Sequence, residues 1–173
     1  MSRLVLIDKV HIEDERRGVF EEAVIDLAKR LDVDPNHLMM IMYFESQLNP
    51  KARNPHGTAS GLIQFTALTA QNLGTSIHEI RKMDAIQQLR YVYLYLKPFK
   101  GKLTSFLEIY LAIFFPKAVG KPMSYRFPLK RRWVNANKVF DVDKNGMIQK
   151  WEVNYKLGKW FWDRGVHYDV PVF

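Results

Sequence analysis

The feature that most constrains this chain is a predicted helix that ends on a carboxylate and runs into a long loop. Asp34 can cap the start of this helix, and the proline after it suits the first helical position, where its missing N–H costs nothing. The positions i, i+3, i+4 and i+7 of one helix face are filled by Leu38, Ile41, Met42 and Glu45. Since the first three are apolar, this face is expected to be buried.

Glu45 therefore carries a carboxylate onto a buried stripe, which is costly unless the group has a partner or a chemical role. The pair Asn49-Pro50 disfavours continuation of the helix, so Glu45 is expected near the helix end. Removal from water raises the pKa of a carboxyl, and a general acid needs a raised pKa near neutral pH. Two interpretations follow: a half-buried Glu paired with Lys or Arg, or a general acid.

Composition narrows the class of protein. Hydrophobic residues make up 47% of the 173 residues, enough for a buried core and too many for a disordered chain. The chain has no cysteine, so its fold does not rely on disulfides. The net charge of +8 and the sequence pI near 9.6 favour an anionic partner. No basic motif interleaved with aromatic residues is present, so no nucleic-acid partner is expected.

The residues after the helix form an ordered string, ESQLNPKARNPHG, followed by SGLIQF. This string resembles the lytic transglycosylases of the soluble-lytic-transglycosylase type and the goose-type lysozymes, in which the catalytic Glu opens an E-S-x-x-N-P segment that precedes G-L-x-Q. The matching positions are Glu45, Ser46, Asn49, Pro50, Ala52, Pro55, Gly57, Gly61, Leu62, Gln64, Thr69 and Ala70. Two features depart from the family pattern. Asn54 stands where a substrate-contacting Ser is common, and one extra residue lies between Gly57 and Gly61.

The resemblance implies a mainly α, lysozyme-like fold and an enzyme that cuts the bond between N-acetylmuramic acid and N-acetylglucosamine in peptidoglycan, with no organic cofactor. Glu45 would be the catalytic acid and base. The implied substrate-binding residues are Ser46, Asn54, Gly61, Gln64, Phe65 and Tyr110. Tyr110 stands in for a family Tyr that often lies in an A-Y-N-A-G segment, which this chain lacks. A core tyrosine with a satisfied hydroxyl is the alternative for this residue.

The number of carboxylates bears on the mechanism, because glycosidases usually use two. Between Glu45 and Glu79 the chain has no Asp or Glu, and no spacing favours Glu22, Asp26 or Glu108 as a second acid. The resemblance implies a reaction that needs only one, in which the substrate's own 6-hydroxyl attacks and an anhydro sugar forms. Hydrolysis of the goose-type kind is one alternative. A non-catalytic, calcium-stabilised module that binds cell wall or assembles in a phage tail is another.

The expected partners follow from the same resemblance, and the expected location follows from it together with the apolar runs of the sequence. Lys51 and Arg53 would meet carboxylates of the peptide stems, or would simply be solvated. No stretch approaches ~18 uninterrupted apolar residues, so no membrane span is expected. The short apolar run at the N-terminus is broken by Asp8, so no signal peptide is expected. An enzyme of the cell wall or periplasm would then be delivered as a phage lysin or as a component of a phage tail or contractile-injection system.

A second motif lies near the C-terminus, where residues 141–152 fit the calcium-loop pattern D-x-[DN]-x-[DN]-G-x5-E at every defined place. The predicted ligands are Asp141, Asp143, Asn145, Met147, Gln149 and Glu152, with Met147 offering its backbone carbonyl. The flanking helices are expected over residues 133–140 and 150–160. Because regulatory EF-hands usually work in pairs and this chain has one such loop, we expect a structural Ca²⁺ ion. The alternative is an Asx turn without an ion.

The sequence thus predicts two parts. Residues 1–125 would be the lysozyme-like catalytic domain. Residues 126–173 would be an EF-hand-like, calcium-binding helix-loop-helix packed on it. Residues 3–12 are predicted to form a short extended arm ahead of the first helix, which is expected from Gly18 to Leu31.

Overall fold

The computed structural model describes residues 3–128 and 130–170, with the backbone alone for Arg131. Helices make up most of this part, and it contains isolated β-bridges but no strand, which confirms the mainly α prediction. The α-helices of the described residues are α1 (Arg17–Leu31), α2 (Pro35–Ser46), α3 (Ala67–Asn72), α4 (Ile77–Lys82), α5 (Ala85–Leu96), α6 (Phe106–Phe114), α7 (Arg131–Ala136) and α8 (Lys150–Trp162). Short 3₁₀ helices occupy Ile7–Lys9, Asp14–Arg16, Lys97–Phe99, Pro116–Ala118 and Lys138–Phe140.

The chain divides into two compact units, Met1–Ile113 and Phe114–Phe173. The functional boundary predicted at residues 125 and 126 is a separate matter and stays a prediction. Among the described residues, none of the helices combines the length and the apolar character needed to cross a bilayer.

The N-terminal segment of the first unit is folded onto its core. The predicted extended arm over residues 3–12 is wrong, because the segment forms a 3₁₀ helix at Ile7–Lys9 and buries Leu4, Ile7 and Val10. Its backbone is tied down by long-range contacts: Leu4 N donates to Glu21 Oε1 at 2.7 Å, and His11 N donates to the Leu48 carbonyl at 3.2 Å.

Helix α2 begins and ends as its sequence predicts. The Asp34 side chain accepts a hydrogen bond from Asn36 N at 2.8 Å, and Pro35 takes the first turn. The helix ends at Ser46, after which Gln47 and Leu48 both adopt left-handed backbone conformations, with φ of 55° and 58°. Helix α1 packs against α2 and α5, and apolar residues of all three helices form much of the buried core of this unit.

The second unit contains α7, α8 and the loop between them. Its core includes a group of aromatic rings in which Phe114 contacts Phe127, Trp133 and Phe140 at centroid distances of 6.5, 5.3 and 5.2 Å. The entering helix predicted over residues 133–140 is wrong in its extent. Helix α7 ends at Ala136, where Asn137 leaves helical geometry and its Nδ2 bonds back to the Trp133 carbonyl at 3.0 Å.

Candidate active site

Glu45 lies in the last turn of α2, one residue before the helix ends. Its side chain is half-buried, and the surrounding protein raises its pKa to about 7 by burial. Among the described residues no Lys or Arg forms an ion pair with Glu45, so the interpretation of a Glu neutralised by a cation does not hold there. The carboxyl is therefore divided between its acid and its ionised form near neutral pH.

Two tyrosines lie close enough to Glu45 to respond to its charge. Burial raises the pKa of Tyr110 and, to a smaller extent, the negative charge of Glu45 raises it further. The same two causes, in the same order, raise the pKa of Tyr95, whose hydroxyl donates to the Ala112 carbonyl at 2.9 Å. Both phenols stay protonated near neutral pH, so Glu45 is the one of these three groups that titrates there.

The side chain of Glu45 lines a cavity of about 330 Å³ in the first unit. The cavity is lined by His11, Phe44, Glu45, Ser46, Gln47, Asn49, Ala52, Arg53 and Gln64. Glu45 is the sole carboxylate in this lining, as far as the structure describes the chain. The three candidates for a second acid lie elsewhere: Glu22 and Asp26 are exposed on α1, and Glu108 is buried on α6.

The loop that faces Glu45 is held by backbone contacts at three of the predicted site residues. Ser46 Oγ lies 2.9 Å from both the Met42 and the Leu62 carbonyl oxygens, so this hydroxyl joins α2 to the loop. Gln64 has a left-handed φ of 54°, and its backbone N and its Nε2 both donate to the Gly61 carbonyl, at 3.0 and 3.1 Å. These contacts fix the wall of the cavity.

The other predicted substrate-binding residues are placed differently. Phe65 is 1% exposed and belongs to the core, so it offers no ring surface to a ligand. Asn54 is exposed, does not line the cavity, and caps its own turn by accepting from His56 N at 2.9 Å. Tyr110 is buried and meets Phe44 edge to face at 5.3 Å between ring centroids.

Sequence reasoning missed Gln88, a fully buried residue that ties the loop to the rest of the first unit. Its Nε2 donates to the carbonyls of Pro50 at 2.8 Å and Ile80 at 3.0 Å, and its Oε1 accepts from Leu62 N at 2.9 Å. A Cβ on Gly61, whose φ is +83°, would come within 2.5 Å of that Oε1. A signal existed: like Glu45, Gln88 is a polar residue on the apolar stripe of its helix.

Replacing Gln88 by Met should destabilise the protein by about 3 kcal/mol, because each buried polar group left without a partner costs about 1–3 kcal/mol. Met keeps the unbranched shape and removes the donor and the acceptor. Chemical denaturation measures the loss, and Gln71→Met, at an exposed position of α3, is the matched control. Equal stability of the two variants would show that the Gln88 contacts contribute little.

Sequence reasoning also missed His11 and Tyr95. His11 lies in the cavity lining because the N-terminal segment contacts residues far along the chain. No local sequence pattern predicts such contacts. Tyr95 was one of several tyrosines on α5, and helical spacing alone does not single it out.

The predicted calcium loop lies in the second unit and brings three carboxylates together. Oxygens of Asp141, Asp143 and Glu152 lie within 4.8 Å of one another. Glu152 is fully buried; its Oε1 accepts from Val142 N and its Oε2 from Gln149 N, both at 2.7 Å.

The remaining hydrogen bonds give this loop a tight turn. Asp141 Oδ2 accepts from Gly146 N at 3.0 Å, and Asn145 Oδ1 accepts from Met147 N at 2.9 Å. Gln149 Oε1 accepts from the indole N–H of Trp151. In contrast, Asp141 Oδ1 is buried and has no hydrogen-bond partner in the described structure. A hard cation with a preference for oxygen ligands fits this donor set and would satisfy that atom.

The first unit is thus a helical unit in which one half-buried carboxyl, that of Glu45, lies in the wall of a polar cavity. A family model described as Transglycosylase SLT domain matches residues 22–108, half of the chain, and the chain belongs to this family. Membership points to a peptidoglycan lytic transglycosylase that acts on the cell wall. Comparisons with curated proteins and with solved structures gave no match. The matched range contains Glu45 and its loop and ends before Tyr110 and the calcium-loop motif.

Proposed function

We propose that this protein cleaves the bond between N-acetylmuramic acid and N-acetylglucosamine in peptidoglycan strands, with Glu45 as its one general acid and base. The observation that carries the proposal is the carboxyl of Glu45, whose pKa burial raises to about 7 on the wall of a cavity. The family match supports the substrate class. Delivery of the enzyme as a phage lysin or injection-system component stays a prediction.

The first step breaks the glycosidic bond. The protonated Glu45 carboxyl gives its proton to the glycosidic oxygen as the bond from that oxygen to C1 of the muramic acid breaks. The substrate's N-acetyl group stabilises the positive charge that develops at C1. A pKa of about 7 leaves a large share of Glu45 protonated near neutral pH, which is the state that this step requires.

The second step regenerates the acid. The Glu45 carboxylate takes the proton of the muramic acid 6-hydroxyl while that oxygen forms a bond to C1. The product is a 1,6-anhydro sugar, Glu45 is protonated again, and no water is consumed. A single carboxylate therefore completes the cycle, which suits a cavity in which the described lining holds no second one.

The predicted substrate-binding residues contribute mainly by holding the wall of the cavity in place. Ser46 and Gln64 line it and hold the loop backbone, and Gly61 accepts the two hydrogen bonds of Gln64. We assign these three to positioning of the cavity wall. Asn54 and Phe65 do not line the cavity, so their support is indirect. Tyr110 and Tyr95 supply protonated phenols in the neighbourhood of the Glu45 carboxyl.

Purified peptidoglycan digested with this protein should yield anhydro-muropeptides rather than products that carry an added water. The reason is the absence of a second carboxylate from the described cavity lining, since such a group would activate the water. Mass spectrometry distinguishes the two products by the mass of one water. Hydrated products throughout would place the enzyme with the hydrolysing lysozymes. No released sugar from a folded protein would favour a non-catalytic module.

We propose, second, that residues 141–152 bind one Ca²⁺ ion as a structural element. The observation that favours this is the buried oxygen of Asp141, Oδ1, which has no hydrogen-bond partner in the described structure and belongs to a cluster of three carboxylates. Asp141, Asp143 and Glu152 would supply the negative charge, and Asn145, Gln149 and the Met147 carbonyl would add neutral oxygens. Bound there, the ion would stabilise the turn between α7 and α8.

A further inference from the structure

Two side chains of the Glu45 cavity, His11 and Arg53, belong to no part of the proposed acid and base chemistry. Both are exposed and both line the cavity. His11 comes from the N-terminal segment, outside the family match over residues 22–108. Arg53 lies within the match, on the loop that follows α2. The cavity thus carries a guanidinium and an imidazole beside a single carboxyl.

The position of His11 is built by the fold. Leu4, Ile7 and Val10 are buried, and the backbone N–H of His11 donates to the Leu48 carbonyl, three residues after Glu45. The segment thereby holds His11 next to the end of α2. Arg53 is also anchored through its backbone, which forms an isolated bridge with Ser60 across the loop.

The side chains of His11 and Arg53, unlike their backbones, are not held by polar contacts within the described residues. Among the described residues, neither the His11 imidazole nor the Arg53 guanidinium forms a hydrogen bond or an ion pair. Arg53 does not neutralise Glu45 either, since burial accounts for the raised pKa of that carboxyl. Lys51, the other basic residue of the loop, differs: its Nζ donates to the carbonyls of Arg81, Lys82 and Met83 at 3.0, 2.7 and 2.9 Å.

We infer that His11 and Arg53 form a carboxylate-recognition site in the Glu45 cavity, which binds an anionic group of the glycan strand and sets the strand's position on the acid. The inference rests on the proposed function. A guanidinium matches a carboxylate with two parallel donors, and an imidazole donates a hydrogen bond in either protonation state. Lys51 has no part in this site, because it holds the end of α4.

Peptidoglycan offers two sources of such a carboxylate. In intact strands the lactyl group of muramic acid is amide-linked, so the free carboxylates belong to the peptide stems. In strands stripped of stems by an amidase, the lactyl carboxylate itself is free. Conversion of either substrate to neutral amides with a carbodiimide and an amine removes the charge and leaves the sugars unchanged.

The experiment compares KM for wild type, Arg53→Gln, His11→Gln and Arg53→Lys on the two substrates and their amidated forms. Each Gln variant should raise KM about three- to tenfold on at least one charged substrate, the usual weight of one exposed charge-assisted contact. Arg53→Lys should recover part of that loss. An effect on intact strands assigns the site to stem carboxylates, and an effect on stem-free strands assigns it to the lactyl group. Lys100→Gln removes one exposed charge outside the cavity lining and is the control.

Two results would overturn the inference: unchanged KM in both Gln variants, or an equal increase on charged and amidated strands. Failure of the proposed function is a different result, in which the wild type releases no sugar from any substrate. Co-sedimentation of Glu45→Gln protein with insoluble peptidoglycan then decides the inference alone. Adding Arg53→Gln to that protein should weaken sedimentation with charged strands and not with amidated ones, and equal sedimentation would refute the site.

Discussion

Glu45→Gln should lower the rate of glycan cleavage at least ~100-fold and leave the fold intact, because the variant loses the carboxyl that gives and takes the proton in the proposed mechanism. Gln has nearly the same shape as Glu and fits the same position at the end of α2. Sugar release from peptidoglycan measures the rate, and circular dichroism checks the fold. Glu22→Gln, an exposed change on α1, is the matched control and should be as active as wild type.

The same substitution should stabilise the protein at alkaline pH. Burial raises the pKa of Glu45 from 4.5 to about 7, so the folded state holds its proton where the unfolded state has lost it. The free energy of unfolding of the wild type therefore falls as pH rises from about 4.5 to 7. Above pH 7 the full cost of burying the ionised Glu45 carboxyl is present. At 1.36 kcal/mol per pKa unit, this cost is roughly 3 kcal/mol.

Denaturation of wild type and Glu45→Gln across pH 4 to 8 checks this expectation. The two proteins should have similar stability near pH 4, where both side chains are neutral, and Glu45→Gln should be the more stable above pH 7. The rate of the wild type should fall as pH rises through about 7, since the first step needs the protonated carboxyl. An active and pH-insensitive Glu45→Gln protein would end the assignment.

Local chemistry made α2 predictable from the sequence. The Asp34 cap, the proline after it and the apolar stripe all act within one helix, and the structure has the predicted start and an end at Ser46. The stripe also placed Glu45 correctly as a carboxyl that the protein partly removes from water. Such features need no knowledge of distant residues.

The remaining parts of the site depend on contacts between residues far apart in sequence. His11 lines the cavity because its segment is bonded to Leu48, and Gln88 reaches Leu62 and Pro50 from another helix. The burial of Phe65 likewise depends on how the loop closes on itself, whereas the cap made by Asn54 is a local contact with His56, two residues further on. A pattern along one helix carries no information on such pairings. The resemblance therefore grouped Ser46, Gln64 and Phe65 as substrate-binding residues, although the first two line the cavity and Phe65 is buried in the core.

The second large effect concerns the loop at residues 141–152, where Ca²⁺ should raise the melting temperature and a chelator should lower it. Oxygens of three negatively charged side chains lie within 4.8 Å of one another, and one buried oxygen of Asp141 has no partner in the described structure. A bound cation would reduce the repulsion among the three carboxylates and would give the unpartnered oxygen of Asp141 a contact. Binding to the folded state alone stabilises by about 2.7 kcal/mol at a hundredfold excess over Kd.

That free energy corresponds to a shift of about 5–10 °C for a protein of this size. Calorimetry in millimolar Ca²⁺ and in chelator measures it, and isothermal titration counts the ions bound. Asp141→Ala should abolish the difference between the two conditions, because it removes the carboxylate that holds the unpartnered oxygen. The variant should lower catalysis less than Glu45→Gln does, since Glu45 lies in the other compact unit.

The control for this substitution is Asp163→Ala, which removes a carboxylate of the same unit that lies outside the cluster and pairs with Lys159 at 3.1 Å. It should keep the calcium-dependent shift even if its melting temperature is lower in both conditions. A wild-type melting curve that ignores both millimolar Ca²⁺ and chelator would refute the site. The loop would then be an ordinary Asx-rich turn that connects α7 to α8 without an ion. Its hydrogen bonds from Gly146 N to Asp141 and from Met147 N to Asn145 are those of such a turn.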